Sequence, residues 1–235
     1  MKKITRLCSI VFLFAFLFAC DEEKEKDKAV IPVNIIEVTK KTKVIIMGSS
    51  IAEGAYLNDS WAKRLAIDTN LVVTNLAKSG YFTRHYLPLS YQNPNHSQKV
   101  DTLRNVEKVI KLSPNLVIIS LTVNDIANGV TIDEYMGNME IITSLLKQKS
   151  IKVIVTTTVP AAPLPLELRM RLKALAERLK VSFLAVDIHT PLESQTDAYL
   201  PNIELYNSDY LHPNSSGHKI IFDLIQKEVK VKRYN

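Results

Sequence analysis

Cysteine is nearly absent from this chain: there are two in 235 residues, Cys8 and Cys20, both within the first twenty. No disulfide framework, C-x-x-C redox pair or thiolate metal site is therefore available downstream. The five histidines include no H-E-x-x-H or comparable ligand spacing, so metal hydrolysis has no motif behind it and no metal is expected. There is no G-x-G-x-x-G and no G-x-x-x-x-G-K-[ST] loop, which leaves dinucleotide and nucleotide cofactors unsupported; no cofactor is expected. A strong excess of one charge is lacking too. The net charge is +6, of which Lys2, Lys3 and Arg6 supply three, leaving +3 for a chain cleaved beyond them. The remaining basic residues mix with acidic ones, apart from a short cluster at Lys227, Lys230, Lys232 and Arg233. Nucleic-acid binders concentrate positive charge on one face or stripe, so no nucleic-acid partner is expected and the cluster reads as the solvated face of a last helix.

What is present begins with an address. Residues 1–19 carry a basic start and then a mostly apolar run from Leu7 to Ala19, about thirteen residues, where a membrane span needs about 20. That is the pattern of a signal peptide. Its end, Leu17-Phe18-Ala19-Cys20, resembles a bacterial lipobox, which implies cleavage before Cys20 and lipidation of that cysteine. Several acyl chains there would hold the protein on a membrane stably, where one chain would not. Residues 20–42 open with an unbroken charged stretch, Asp21 to Lys28, with nothing apolar to bury, and read as a flexible tether. Acidic residues directly after the cysteine resemble the surface-export signal of some Bacteroidetes lipoproteins. The expected location is the bacterial cell envelope, with the membrane contacted through the N-terminal lipid anchor.

Residues 43–235 form one domain of about the size that buries 70% of its unfolded surface. Apolar runs rich in Val and Ile fall at Lys43–Met47, Leu71–Leu76, Leu116–Leu121, Ile151–Val159 and Ser182–Val186. Each is strand-length and largely apolar on both faces, as a parallel sheet covered by helices requires. Helical patterns lie between them, at about Ser60–Ile67, Thr102–Leu112, Asp133–Lys149, Leu166–Leu179 and Ser215–Val229, with Asp133 and Ser215 as candidate N-caps. The alternation predicts a three-layer α/β/α domain around a five-stranded parallel sheet with right-handed crossovers. The stretch from Tyr81 to Asp101 holds Pro88, Pro94, His85, His96 and three tyrosines, and its length marks it as a candidate substrate-contacting loop.

Ligands of such sheets gather at the carboxyl ends of the strands. After the first run comes Gly48-Ser49-Ser50-Ile51-Ala52-Glu53-Gly54, and at the end of the second Asn75-Leu76-Ala77-Lys78-Ser79-Gly80. After the third comes Thr122-Val123-Asn124-Asp125, and before the last helix Asp209-Tyr210-Leu211-His212-Pro213-Asn214. These four places resemble, in order and separation, the four motif blocks of SGNH/GDSL hydrolases. The closing Asp-x-x-His-Pro is the most specific of them. The resemblance implies the flavodoxin-like SGNH fold and a cofactor-free serine esterase acting on a small-molecule or glycan ester.

By that resemblance Ser50 is the nucleophile, and its hydroxyl needs His212 to remove its proton. Asp209, three residues earlier, would fix the tautomer of His212 and stabilise the imidazolium. The oxyanion donors implied are the backbone N–H groups of Ser50 and Gly80 and the side-chain amide of Asn124. Two positions depart from the family pattern: Ser49 stands where Asp is usual, and Thr122 where Gly is usual. In its Gly-Ser-Ser first block the chain resembles a subset of SGNH-like proteins. Ala52 occupies the place of the second glycine of a G-x-S-x-G elbow, which argues against the α/β-hydrolase fold.

Asp125 reads as a structural hydrogen-bonding partner, His218 as a packing residue, and Asp187 with His189 as a lesser candidate pair without a matching motif. The substrate expected is a short-acyl ester of a carbohydrate, with Tyr81, His85, Tyr86 and Tyr91 forming a polar aromatic cleft, or else a lysophospholipid. The alternative is a non-catalytic envelope lipoprotein that uses the fold to bind glycans or act as a scaffold.

Overall fold

The computed structural model describes residues 36–38, 42–55, 57–93, 97, 99–121 and 123–231. The signal peptide, Cys20 and Thr122 lie outside the described residues, as do Pro94 and His96 of the long loop. The elements in chain order are β1 (Ile36–Val38), β2 (Thr42–Gly48), α1 (Ser50–Glu53), α2 (Trp61–Ala66), β3 (Leu71–Asn75), α3 (Val106–Lys111), β4 (Leu116–Ser120), α4 (Asn124–Ala127), α5 (Ile132–Gln148), β5 (Lys152–Val155), α6 (Leu166–Phe183), α7 (Ser215–Glu228) and β6 (Val229–Val231). Four short 3-10 turns stand between them, two of which, Thr83–Tyr86 and Leu89–Tyr91, lie inside the long loop. Among the described residues no helix is long and apolar enough to cross a membrane.

The sheet is parallel throughout, in the order β3-β2-β4-β5. Its central strands are the apolar ones: every residue of β4 is buried, and all of β2 except Lys43. The edge strand β3 departs from the expectation of two apolar faces, since Val72 is 54% exposed. α2 and α7 pack against each other, while α5 contacts both α3 and α6. These two separate groups of helices, with the sheet between them, are the arrangement that the right-handed crossover rule gives for this strand order. Trp61, fully buried on α2, is the largest side chain of the first layer. Its backbone N–H donates to Nδ1 of His218 at 3.3 Å, and burial pushes the pKa of that histidine down to about 4. His218 therefore packs as a neutral ring.

Among the described residues this sheet has four strands where five were expected. α6 runs on through Ser182 and Phe183, because Leu172, Leu175, Ala176 and Leu179 set a helical stripe and no breaker interrupts it. The helix stops on Leu184 with φ +51°, and only Val186 is left to pair, in a single parallel bridge with Thr156. The fifth strand is thus reduced to one residue at the edge beside β5. β1 falls inside the 20–42 stretch and pairs in parallel with β6, which continues straight from α7. Two caps also differ: the side chain of Thr131, not Asp133, accepts from Glu134 N–H, and Asn214, not Ser215, accepts from Ser216 and Gly217. In each case a residue just upstream holds the extended backbone that an N-cap needs.

Counting from β2 as the first strand of the sheet, the order is 2-1-3-4, the flavodoxin-like arrangement. The chain leaves β2 toward β3 on one side and returns to β4 on the other. The crevice outside the carboxyl ends of β2 and β4 is the topological switch point, where ligands of open α/β sheets bind.

Candidate active site

Both central strands deliver side chains to that crevice. β2 ends at Gly48, where a Cβ would sit 2.5 Å from the Ser120 carbonyl oxygen and 2.4 Å from the Ala52 Cβ. Only glycine lets the first block lie this close to β4. Ser49 follows in extended conformation, and Ser50 begins α1, a single turn closed by Gly54 N–H donating to the Ser50 carbonyl at 3.0 Å. As the first residue of a helix, Ser50 has a backbone N–H with no partner inside the helix.

The loop from 206 to 214 is built to present a carboxylate to an imidazole. An antiparallel bridge between Tyr206 and Pro213 closes it, and Asn207 N–H donates to the His212 carbonyl at 2.9 Å. Within it, Oδ1 of Asp209 accepts the backbone N–H groups of Leu211 (3.0 Å) and His212 (2.9 Å). That leaves Oδ2, which lies 2.7 Å from Nδ1 of His212. Nε2 of His212 lies 2.9 Å from Oγ of Ser50, across 162 residues of chain. Burial works to raise the pKa of Asp209, but the hydrogen bonds from the backbone and ring of His212 and from Leu211 outweigh it and hold the carboxyl below its ordinary value. An ionised carboxylate only accepts, so Nδ1 carries the proton of the neutral ring and Nε2 is left to accept the Ser50 hydroxyl proton.

The second block makes the other wall. The backbone N–H groups from Leu76 to Tyr81 are taken up almost completely: Leu76 by the Ile46 carbonyl, Ala77 by Oδ1 of Asn75, Lys78 by the Gly48 carbonyl and Ser79 by Glu53. Tyr81 N–H donates to the Lys78 carbonyl. Gly80 is the exception, since its N–H donates to no described protein group. Its φ of +77° is the left-handed region that favours glycine. Asn124, first residue of α4, gives one amide hydrogen to the Tyr81 carbonyl at 2.9 Å, and its second remains available to a ligand. One hydrogen-bonded chain thus links Asp209, His212 and Ser50, while Gly80 and Asn124 stand past the carboxyl ends of β3 and β4 with N–H hydrogens left over.

Asp125, next to Asn124, is fully buried and accepts from both the N–H (3.1 Å) and the hydroxyl (2.6 Å) of Thr83. Burial pushes its pKa up to about 6, against the pull of those bonds. It ties the long loop to α4. The aromatic cleft expected there does not form. Tyr86 is fully buried, and its hydroxyl lies 2.7 Å from the Gly48 carbonyl and 3.1 Å from that of Leu76. Tyr81 is 8% exposed, hydrogen-bonded to Asp101 and stacked on His85 at 4.3 Å. Three of the four rings therefore brace the loop from within, and only Tyr91 stands well exposed. Asp187 and His189 make no side-chain pair: Asp187 accepts backbone N–H groups from His189 and Thr190, while the ring of His189 is buried against Thr158. Among the described residues no group of His, Cys, Asp and Glu side chains is placed to hold a metal ion.

A model of the GDSL-like lipase/acylhydrolase family matches residues 46–220. No curated protein matches the chain. Among solved structures, a putative acylhydrolase from Bacteroides fragilis is 26% identical, covers 81% of this chain and 89% of its own, and superimposes with a TM-score of 0.59. A GDSL-like lipase from Bacteroides thetaiotaomicron is 24% identical over 79% of this chain and 86% of its own, with a TM-score of 0.57. A catalytic mutant of an acetylxylan esterase from Geobacillus stearothermophilus shares the fold at 15% identity, covering 82% of this chain and 96% of its own, with a TM-score of 0.60. The matched stretch takes in all four blocks together with the end of β2 and the whole of β3, β4 and β5, so the chain is an ester hydrolase belonging to the GDSL-like lipase/acylhydrolase family.

Proposed function

We propose that the protein is a serine esterase in which Ser50, His212 and Asp209 form the catalytic triad. The observation that carries this is the imidazole of His212, bonded at once to Ser50 and to Asp209. Ser50 Oγ attacks the ester carbonyl while Nε2 of His212 takes its proton. The tetrahedral intermediate collapses, the alcohol leaves with the proton from His212, and the acyl group stays on Ser50. Water, deprotonated by the same nitrogen, attacks the acyl-enzyme and releases the acid. The developing oxyanion is met by the N–H groups of Ser50 and Gly80 and by the amide of Asn124. Removing that amide in Asn124→Ala should lower kcat on p-nitrophenyl acetate by about 10²- to 10³-fold. A kcat within threefold of wild type would take Asn124 out of the site.

The substrate proposed is a short-acyl ester of a carbohydrate. The support is a cavity of about 420 Å³ beside the triad loop, in which Ser194, Thr196, Asn202 and Glu204 stand among a largely apolar lining that includes Leu200 and Ile203. It adjoins that loop through two bonds, Ala162 N–H to the Tyr210 carbonyl and the Asn214 amide to the Glu204 carbonyl. The apolar lining suits the C–H faces of sugar rings, and the hydroxyl, amide and carboxylate side chains among it suit their hydroxyl groups. Acetate release from acetylated xylo-oligosaccharides should therefore exceed fatty-acid release from lysophosphatidylcholine, and the reverse order would favour the lysophospholipase reading.

We also propose that Cys20 carries the lipid that holds the enzyme on the bacterial envelope. Radiolabelled palmitate should enter the wild-type chain and not Cys20→Ser; equal labelling of both would refute it.

A further inference from the structure

α1 is one turn long, yet it touches the site twice. Ser50 at its start supplies the hydroxyl and the first N–H. Glu53 at its end reaches across to the second block, where its Oε2 accepts the backbone N–H of Ser79 at 2.8 Å and the Ser79 hydroxyl in a second, short bond. Ser79 immediately precedes Gly80. Glycine has no Cβ to narrow its choice of φ and ψ, so the direction of the Gly80 N–H depends on what holds the neighbouring peptides. On the far side the Tyr81 carbonyl is held by Asn124. On the near side the bond to Glu53 is the one that holds Ser79 N–H.

We propose that Glu53 is a positioning residue for the oxyanion hole: it ties the Lys78–Ser79 peptide and the Ser79 side chain, immediately before Gly80, to the nucleophile's own helical turn, so that Gly80 N–H and Ser50 N–H converge at a fixed separation. This rests on the triad reading above, because it assigns an aim to Gly80 N–H. The requirement is for reach and an acceptor, not for negative charge. Gln keeps the length and an acceptor oxygen for both Ser79 donors. Asp keeps the charge but is one methylene short.

The test measures kcat, KM and thermal midpoint for wild type, Glu53→Gln, Glu53→Asp and Glu53→Ala with p-nitrophenyl acetate, and inhibition by phenylboronic acid. Boronates form a tetrahedral adduct on a serine, with an oxygen where the oxyanion forms. Asp and Ala should lower kcat by about 10- to 100-fold, the scale of a donor displaced by about 1 Å. KM should stay within about twofold, boronate affinity should fall in step with kcat/KM, and Gln should stay within about threefold of wild type on all counts. Three results would overturn the proposal: unchanged kcat in Asp and Ala; Asp outperforming Gln, the mark of a charge effect; or kcat, KM and thermal midpoint moving together, the mark of a misfolded loop. If Ala does not fold, the Gln-against-Asp comparison decides alone. Failure of the triad reading itself is read separately, as wild-type activity that survives Ser50→Ala.

Discussion

Replacing Ser50 by alanine should lower turnover of p-nitrophenyl acetate by about 10⁴- to 10⁶-fold, read above the spontaneous rate. The size of the loss follows from what the hydroxyl does. With Oγ gone no acyl-enzyme can form, and the two-step route through Ser50 is closed. What survives is a bound ester next to three N–H donors and a basic nitrogen, worth about 10³ to 10⁴ over water in serine hydrolases stripped of their triad. His212→Ala should fall to a similar level, since without a base the hydroxyl is a poor nucleophile. The double variant should be no slower than either single one, because the two groups act as a unit and their effects do not add. Ser50→Ala has little reason to unfold the chain: the side chain is at the surface of the crevice, and the α1 turn is held by backbone bonds from Glu53 and Gly54. A rate within tenfold of wild type, with the thermal midpoint unchanged, would rule out Ser50 as the nucleophile.

Much of this arrangement was legible before any fold was known, and the reason is local. Asp209 and His212 are three residues apart, and a carboxylate folding back on an imidazole within one turn needs no long-range information. Ser50 and Gly80 follow apolar runs, where a parallel sheet opens its crevice, but position alone did not single them out; the resemblance of the four blocks to SGNH/GDSL hydrolases did. The misreadings have an equally physical origin. Ser182–Val186 is rich enough in apolar residues to pass for a strand, but the stripe of Leu172, Leu175 and Leu179 carries α6 through its first two residues. The rings of Tyr81 and Tyr86 suggested an open cleft because an irregular loop has no periodicity to say which side chains turn inward. Burial decided that, through hydroxyl bonds to Asp101 and to the backbone of Gly48 and Leu76. Glu53 stands in the first block, but nothing in its neighbours announces Ser79, 26 residues away.

Asp209→Asn should reduce kcat by about 10³- to 10⁴-fold while leaving the loop folded, a loss large for so small a change. The isosteric amide keeps one oxygen, and that oxygen can still accept the N–H groups of Leu211 and His212 that shape the turn. What faces Nδ1 of His212 is then an NH₂ group, a donor where an acceptor stood. The ring must answer with a bare Nδ1, so its proton moves to Nε2 and points at Ser50 Oγ. In that tautomer Nε2 cannot take the hydroxyl proton, and the imidazolium of the transition state loses its counter-charge as well. The two losses respond differently to water. The Asp209 side chain is 49% exposed, so solvent screens its charge and weakens the electrostatic part. The tautomer part is a matter of donor and acceptor and is not screened. Asp209→Ala separates them: with no amide to impose the wrong tautomer, water can accept from Nδ1, and activity should exceed that of the Asn variant, although the turn loses two hydrogen bonds and the thermal midpoint should drop. An Asn variant within tenfold of wild type would mean that Asp209 shapes the loop without serving the base.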